Sequence, residues 1–194
     1  MKQQLGIALR LLLTLSVLTG LLYPLTVTGI AQILLPFQAN GSLVVKDGKV
    51  IGSYLIGQKF SGPEYFHGRP SAAGAGGYDA TASSGSNQGP TSHQLIKTTD
   101  ERVRAFRNEN GLAAGDLVPA DLATASGSGL DPDISPAAAR LQARRIASVR
   151  GIDLDTVNGF IDNGTKPKQF GLLGEPRVNV LELNLALDAV KRDN

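Results

Sequence analysis

The chain contains no cysteine and no tryptophan, and only two of its 194 residues are histidines. Without cysteine there is no disulfide framework, no thiolate metal site and no cysteine nucleophile. The absence is compatible with an oxidising or a reducing compartment. His67 and His93 are too few and too far apart in sequence for a convincing histidine-based metal site or serine–histidine triad. These absences favour a protein that is not an enzyme.

Charge is absent from a long N-terminal stretch, because residues 11–45 include no Asp, Glu, Lys or Arg. Within it, 14 of the 25 residues 11–35 are Leu, Val or Ile. At ~1.5 Å per residue this helix would be about 37 Å long, enough to cross a ~30 Å hydrocarbon core. The pattern predicts one transmembrane helix over about 11–35 in an anchor of residues 1–36, kinked at Pro24 and stopped at Pro36. A signal peptide cleaved after Gly29-Ile30-Ala31 and a buried core helix are the alternatives.

Positive charge near the N-terminus predicts the orientation of this helix. Residues 46–194 hold 17 basic and 17 acidic side chains, so the net charge of +2 comes from Lys2 and Arg10. These two flank the apolar stretch and predict a cytoplasmic N-terminus. The remainder is then extracytoplasmic, and its balanced charge predicts no nucleic-acid partner.

Residues 37–194 are predicted to form one mixed α/β domain, so that the whole chain has the α+β class. Asp47-Gly48 between two Val- and Ile-rich stretches predicts a type I′ hairpin over 42–56. Residues 68–92 contain six glycines and almost no large apolar side chain, which predicts a long Gly/Ser-rich loop. We expect that loop to be ordered by a partner.

Four helices are predicted in this domain from capping residues and apolar spacing. The first runs from about Ser92 to Asn110, and the second lies between the cap Ser135 and the terminator Gly151. On the second helix, Ala138, Leu141, Arg145 and Val149 form a mixed face that predicts shallow packing or contact with another subunit. A third helix starts near Asp153. For residues 178–191 a strand and a helix compete, and Asn179 followed by Glu182 favours the helix.

No sequence motif for a known chemistry is complete. The glycine-rich segments match neither a phosphate-binding P-loop nor a dinucleotide fingerprint, and Asp131-Pro132-Asp133 is typical of a turn before a helix. Tyr65, Phe66 and Arg69 are instead the kind of side chains that anchor protein interfaces, with packing beneath the following loop as the alternative.

Several motifs in a fixed order resemble one family closely. They are QANGSL at 38–43, LIGQ at 55–58, YFHGRPSA at 65–72, SGSN at 84–87, TASGSGLDP at 124–132 and VNVLELNLALD at 178–188. Together with the N-terminal span they resemble the KdpC family, the small accessory subunits of bacterial potassium-transporting P-type ATPases. Asp133 departs from the family pattern, in which His or Asn would be expected, so a role of this side chain cannot be carried over.

The resemblance implies a non-catalytic subunit of the bacterial inner membrane that works in high-affinity potassium uptake. Its partners would be a channel-like potassium-binding subunit, an ATP-hydrolysing P-type subunit and a short stabilising peptide. The family is described as assisting assembly and raising the ATP affinity of the hydrolysing subunit, with nucleotide binding. A domain outside the cytoplasm cannot touch cytosolic ATP, so we expect no cofactor of its own and an effect on ATP only through the complex.

Two sets of site residues follow. The candidates for partner contact are Tyr65, Phe66, Arg69, Ser126, Ser128 and Asp131. The alternative function is a nucleotide-binding regulatory subunit with a cytoplasmic domain, for which the candidates are Gln58, Ser84, Ser86 and Asn87. No catalytic or metal-ligating residue is predicted.

Overall fold

The structure is a computed structural model that describes residues 2–190. It divides into two compact units, one ending at Ile51 and the other beginning at Gly52. Met1 of the predicted anchor 1–36 and residues 191–194 of the predicted domain 37–194 lie outside the described residues.

The first unit begins with one long apolar helix, Lys2–Leu34, made of α1 (Lys2–Val17), a π-helical turn (Leu18–Leu22) and α2 (Tyr23–Leu34). Its most apolar window has a mean hydropathy of 2.1, and none of that window is buried within the chain. Its length and composition suit a membrane span. The helix begins at Lys2 rather than near Leu11, so both flanking cations lie on it.

The π-helical turn is the structural response to Pro24. Proline has no N–H to donate and its ring clashes with the carbonyl one turn earlier, and a π-turn relieves that conflict. The turn ends just before Tyr23, and the Thr19 hydroxyl donates to the Leu15 carbonyl at 2.7 Å. The turn thus lies just before the residue at which the sequence predicts a kink.

The first unit ends in the predicted hairpin. After the short helix α3 (Pro36–Ala39), strands β1 (Leu43–Lys46) and β2 (Lys49–Ser53) form a two-stranded sheet. Asp47 and Gly48 between them have φ of 51° and 74°, the left-handed conformation that a type I′ turn requires. The hairpin prediction is confirmed.

The second unit combines helices with a small antiparallel sheet, which makes the chain a mixed α and β protein as predicted. Its sheet has the order β3-β5-β4, with Asp133 opposite Asn179 and Thr165 opposite Val178. The elements are α4 (His93–Asn110), α5 (Ala120–Ala123), β3 (Asp133–Ile134), α6 (Pro136–Arg150), α7 (Leu154–Gly164), β4 (Thr165–Lys166), β5 (Arg177–Asn179) and α8 (Val180–Ala189).

The capping residues set the helix ends where the sequence places them. Ser92 and Ser135 accept hydrogen bonds from the N–H groups three residues later, and Gly111 and Gly151 end α4 and α6 in the left-handed conformation. Asn179 likewise accepts from the Glu182 N–H at 3.1 Å. This cap resolves the ambiguity at the C-terminal end in favour of a helix.

Helix α6 lies at the centre of the core, which corrects the prediction of shallow packing. It buries Ala138, Ala139, Gln142, Ala143, Arg145, Ile146 and Ala147. The prediction of shallow packing rested on a face that includes the charged Arg145, yet this side chain is buried, as is Gln142. Gln142 accepts from the His67 N–H, Arg145 donates to the Tyr65 carbonyl and to Asn110 on α4, and these hydrogen bonds allow the polar groups to be buried.

Residues 54–92 form that loop region, with no helix and no strand other than an isolated bridge between Ser53 and Ile56. Phe66 and Ala73 in it are fully buried (0% exposed). Ala73 belongs to the stretch 68–92, so the chain itself packs this part of the predicted loop.

Candidate partner-contact site

The segment that carries the interface-like aromatics is held to two helices by buried side-chain amides. The Phe66 N–H donates to Asn184 Oδ1 at 2.8 Å, and Asn184 Nδ2 donates to the Phe66 carbonyl at 3.0 Å. The His67 N–H and carbonyl pair in the same way with Gln142, at 2.8 and 3.1 Å. Each side-chain amide makes the two hydrogen bonds that a neighbouring strand would otherwise make. The N–H and carbonyl groups of this irregular backbone are therefore paired.

Two arginines secure the preceding backbone. Arg145 donates to the carbonyls of Pro63 and Tyr65, and burial lowers the pKa of its guanidinium. Arg150 donates to the Glu64 carbonyl at 2.7 Å and lies over the Tyr65 ring, 4.9 Å from its centroid. The position of Tyr65 is therefore set from α6.

The next segment joins the motif at 126–131. Arg69 Nη1 donates to Asp131 Oδ2 at 2.8 Å, and the Ser71 hydroxyl donates to the Gly129 carbonyl at 2.6 Å. The Tyr78 hydroxyl donates to the Arg69 carbonyl at 2.5 Å, and burial raises the pKa of Tyr78 to about 12. The phenol is thus a permanent donor at neutral pH.

Glycine is required where these two segments meet. Gly129 has φ of 68°, and a Cβ there would lie 2.6 Å from the Ser84 carbonyl oxygen and 2.7 Å from the Ala73 nitrogen. The hydroxyls of Ser83 and Ser84 donate to the carbonyls of Ser128 and Ala72, both at 2.9 Å. Glycine and serine in the two segments therefore allow their backbones to pack closely against each other.

The six candidates for partner contact do not share one environment. The segments that carry Arg69, Ser126, Ser128 and Asp131 come together, with Ser128 exposed and Arg69 and Asp131 half-buried. Ser126 is only 3% exposed. Phe66 lies in the hydrophobic core, so its side chain offers no surface to a partner. This agrees with the alternative prediction, in which the residue packs inside the chain.

The four candidates for nucleotide binding have different surroundings. Gln58 lies against Gly52 and lines a narrow gap with Tyr78 and Asp131. The Ser84 hydroxyl is engaged by Ala72, while Ser86 and Asn87 are exposed.

Metal ligands do not converge in the described part of the chain: residues 2–190 contain no group of three or more His, Asp or Glu placed to hold an ion. His67 Nδ1 lies 3.2 Å from Glu109 Oε1, and His67 Nε2 lies 3.0 Å from the Gly62 carbonyl. His93 is exposed at the start of α4.

Asp133, where the resemblance to the family predicts His or Asn, belongs to the sheet. Its Oδ2 lies 3.0 Å from Arg177 Nε, and its Oδ1 accepts from Asn179 Nδ2 at 3.2 Å. Burial raises the pKa of this carboxyl despite these partners. The side chain therefore contributes to pairing between β3 and β5.

An exposed apolar turn at residues 168–174 was missed by the sequence analysis. Phe170, Leu172 and Leu173 are 93%, 83% and 60% exposed. The turn is closed by two backbone hydrogen bonds, from Gln169 N to Leu173 O (2.8 Å) and from Leu173 N to Gln169 O (2.9 Å). The sequence signal for it is FGLLG at 170–174, in which Phe170 precedes Gly171, and Leu172 and Leu173 lie between Gly171 and Gly174.

The sequence matches one known protein family over most of its length. The sequence model of the family described as "KdpC: K+-transporting ATPase, c chain" matches residues 5–189. The chain belongs to the KdpC family. KdpC is an accessory subunit of the multi-subunit Kdp potassium-transporting P-type ATPase, and the resemblance inferred from the motifs is confirmed.

Individual relatives agree over nearly the full length. The chain is similar to the "Potassium-transporting ATPase KdpC subunit" of Gemmatimonas aurantiaca, with 56% identity over 98% of this chain and 94% of the relative. The proteins of that name from Methylococcus capsulatus and Mycobacterium bovis are 57% and 54% identical, over 95% and 97% of this chain and 96% and 99% of the relatives. Residues 5–34 of the apolar helix and the 168–174 turn both lie inside the region that the family model matches.

Proposed function

We propose that the chain is a non-catalytic, single-pass subunit of a potassium-transporting P-type ATPase in the bacterial inner membrane. The observation that carries this proposal is the unburied apolar helix Lys2–Leu34 in a chain of the KdpC family. Lys2 and Arg10 at its N-terminal end favour a cytoplasmic N-terminus, and the second unit then lies outside the cytoplasm.

The helix packs against the channel-like potassium-binding subunit in this proposal. A Cβ added at Gly20 or Gly29 would meet no atom within 4 Å, so the surface there is open to close approach by another helix. The Thr19 hydroxyl is already satisfied by its own helix and places no unpaired donor in the lipid.

The second unit contacts the extracellular side of that subunit through two surfaces. One is the half-buried pair Arg69 and Asp131 with the exposed Ser128. The other is the 168–174 turn, since exposed large apolar groups on an ordered turn are typical of interface anchors. Such contacts assist assembly and stability of the complex with the ATP-hydrolysing subunit and the short peptide.

Any increase in the ATP affinity of the hydrolysing subunit then arises through the membrane-embedded partners. A chain that binds one state of its neighbour more tightly shifts that neighbour toward the state, with no contact to the nucleotide. The alternative, a cytoplasmic domain that binds nucleotide directly, requires the opposite orientation.

Orientation is tested with single cysteines, which the cysteine-free chain makes unambiguous. Ser86 is an exposed loop residue of the second unit, and Gln4 lies near the N-terminal end of the apolar helix. The two variants are Ser86→Cys and Gln4→Cys. In intact cells a membrane-impermeant maleimide should label the first variant at once and the second only after permeabilisation. The reverse pattern would overturn the proposed topology and favour the cytoplasmic alternative.

Subunit membership is tested by recovery of the affinity-tagged chain from detergent-solubilised membranes. The expected result is co-purification of the channel-like subunit, the hydrolysing subunit and the short peptide. Recovery of the chain alone, under conditions in which the pump keeps its ATPase activity, would contradict the proposal.

A further inference from the structure

A positively charged cleft of about 290 Å³ lies in the second unit beside helix α4. Its walls are formed mainly by the side chains of Lys59, Phe60, His67, Arg69, Tyr78 and Arg102. No Asp or Glu lines this space, which we call the Lys59 cleft.

Two of its cations lack an acidic partner. Among residues 2–190, neither Lys59 nor Arg102 has a carboxylate within ion-pair distance. Lys59 Nζ lies 3.5 Å from the Gly76 carbonyl, and Arg102 Nη1 lies 3.4 Å from the Ala123 carbonyl, both at the long limit for a hydrogen bond. Burial lowers the pKa of Arg102, and no carboxylate in the described part of the chain pairs with its charge.

Arg69, which also lines the cleft, has one donor that is not used within the chain. Its Nη1 is paired with Asp131, but its Nε is buried and has no hydrogen-bond partner among the described residues. Buried donors without partners are rare in folded proteins and call for an explanation.

We propose that the Lys59 cleft binds a small dianion that carries a phosphate group. With Arg69 neutralised by Asp131, Lys59 and Arg102 leave two positive charges, which match hydrogen phosphate or a phosphomonoester. Guanidinium and ammonium groups are the usual phosphate ligands. The volume of about 290 Å³ lies just below the range for ligand pockets (~300–1,000 Å³), which suits a phosphate group rather than a whole nucleotide.

The site is distinct from the residues considered for nucleotide binding, because Gln58, Ser84, Ser86 and Asn87 do not line the cleft. The ligand has two possible sources with one chemistry: free inorganic phosphate, or the headgroup of phosphatidic acid. The proposal holds for either orientation of the domain, so its failure would leave the proposed function untouched.

The test is equilibrium dialysis of the full-length chain in a non-ionic detergent against radiolabelled inorganic phosphate. Saturable binding of one phosphate per chain is expected, and Lys59→Gln and Arg102→Gln should each weaken it about tenfold or more, since each removes a charge-assisted contact. Arg104→Gln is the matched control on α4, because Arg104 is exposed and paired with Asp100.

The absence of saturable binding would overturn the proposal, and so would equal affinities in Lys59→Gln, Arg102→Gln and Arg104→Gln. Lys59 is exposed, so Lys59→Gln remains a valid test if Arg102→Gln fails to fold. A water-soluble short-chain phosphatidic acid is added as competitor. Displacement of the labelled phosphate at lower concentration than unlabelled phosphate supports the lipid headgroup as the source, and the reverse order supports free phosphate.

Discussion

Arg69 and Asp131 lie 62 positions apart in sequence and form an ion pair, with Nη1 and Oδ2 separated by 2.8 Å. The pair joins the YFHGRPSA segment to the SGSGLDP segment. Asp131 also accepts from the Asp133 N–H at 3.0 Å through its other oxygen, so one carboxylate fixes both the long loop and the entrance to β3.

We expect Asp131→Asn to lower the free energy of unfolding by about 1 kcal/mol, since it removes the charge of a half-buried pair but keeps an acceptor for Asp133. Asp131→Ala also loses that acceptor and should cost about 1 kcal/mol more. Thermal unfolding of the full chain in mild detergent measures both. Asp100→Asn, in an exposed pair with Arg104, is the control and should change stability by less than about 0.5 kcal/mol. Equal effects of Asp131→Asn and Asp100→Asn would contradict the assigned role.

We expect Gln142→Ala to lower the free energy of unfolding by about 2–4 kcal/mol. The substitution leaves the N–H and carbonyl of His67 buried without partners, and each such group costs about 1–3 kcal/mol. Hydrogen exchange at the His67 amide should accelerate in parallel. Arg144→Ala on the exposed side of the same helix should have an effect within about 0.5 kcal/mol. An unchanged exchange rate at His67 would show that Gln142 does not hold this backbone.

Asp133 should make stability fall as the pH rises. Because burial raises its pKa in the folded state above the ordinary 3.8, the native chain keeps this proton to higher pH than the unfolded chain does. The free energy of unfolding then decreases with pH from 3.8 until the folded-state pKa is passed. Asp133→Asn cannot titrate, so the wild-type chain should lose stability relative to this variant over that interval.

Denaturation of both chains at a series of pH values between about 4 and 7 measures this difference. If the Arg177 pair outweighed the burial of the carboxyl, the wild-type chain would instead gain stability relative to Asp133→Asn as the pH rose. The sign of the slope therefore decides which effect is larger.

Substitution of the exposed apolar turn should affect assembly but not folding. Phe170→Ser with Leu172→Ser removes two side chains that are 93% and 83% exposed, so the unfolding free energy of the isolated chain should change by less than about 0.5 kcal/mol. The yield of complex recovered through the tagged chain should fall. Leu117→Ser is the matched control, because Leu117 is 88% exposed elsewhere on the unit. Equal yields from both variants would remove the turn from the contact surface.

Local signals explain which elements could be predicted. Ser92, Ser135 and Asn179 accept N–H groups within their own helices, and Asp47-Gly48 turns the chain within four residues. These interactions depend on neighbours in sequence, so the pattern alone reveals them. The family could be recognised for a related reason, since its motifs are short, ordered along the chain and close to complete.

Contacts between distant segments could not be predicted in this way. Gln142 and Arg145 break the apolar pattern of α6, and only the return of residues 63–67 onto that helix shows that their polar groups are satisfied. The same holds for Phe66, whose burial depends on Asn184, and for Asp133, whose partner Arg177 lies on another strand.

The sequence alone determined the apolar N-terminal helix, the hairpin, the caps of the larger helices and membership of the KdpC family, because each is encoded by residues close together in the chain. The tertiary structure alone decided which side chains of the loop at 54–92 are buried, which cations in the Lys59 cleft stay unpaired and which apolar groups at 168–174 stay exposed. Burial and charge pairing depend on distances between remote residues, and the order of residues along the chain does not specify those distances.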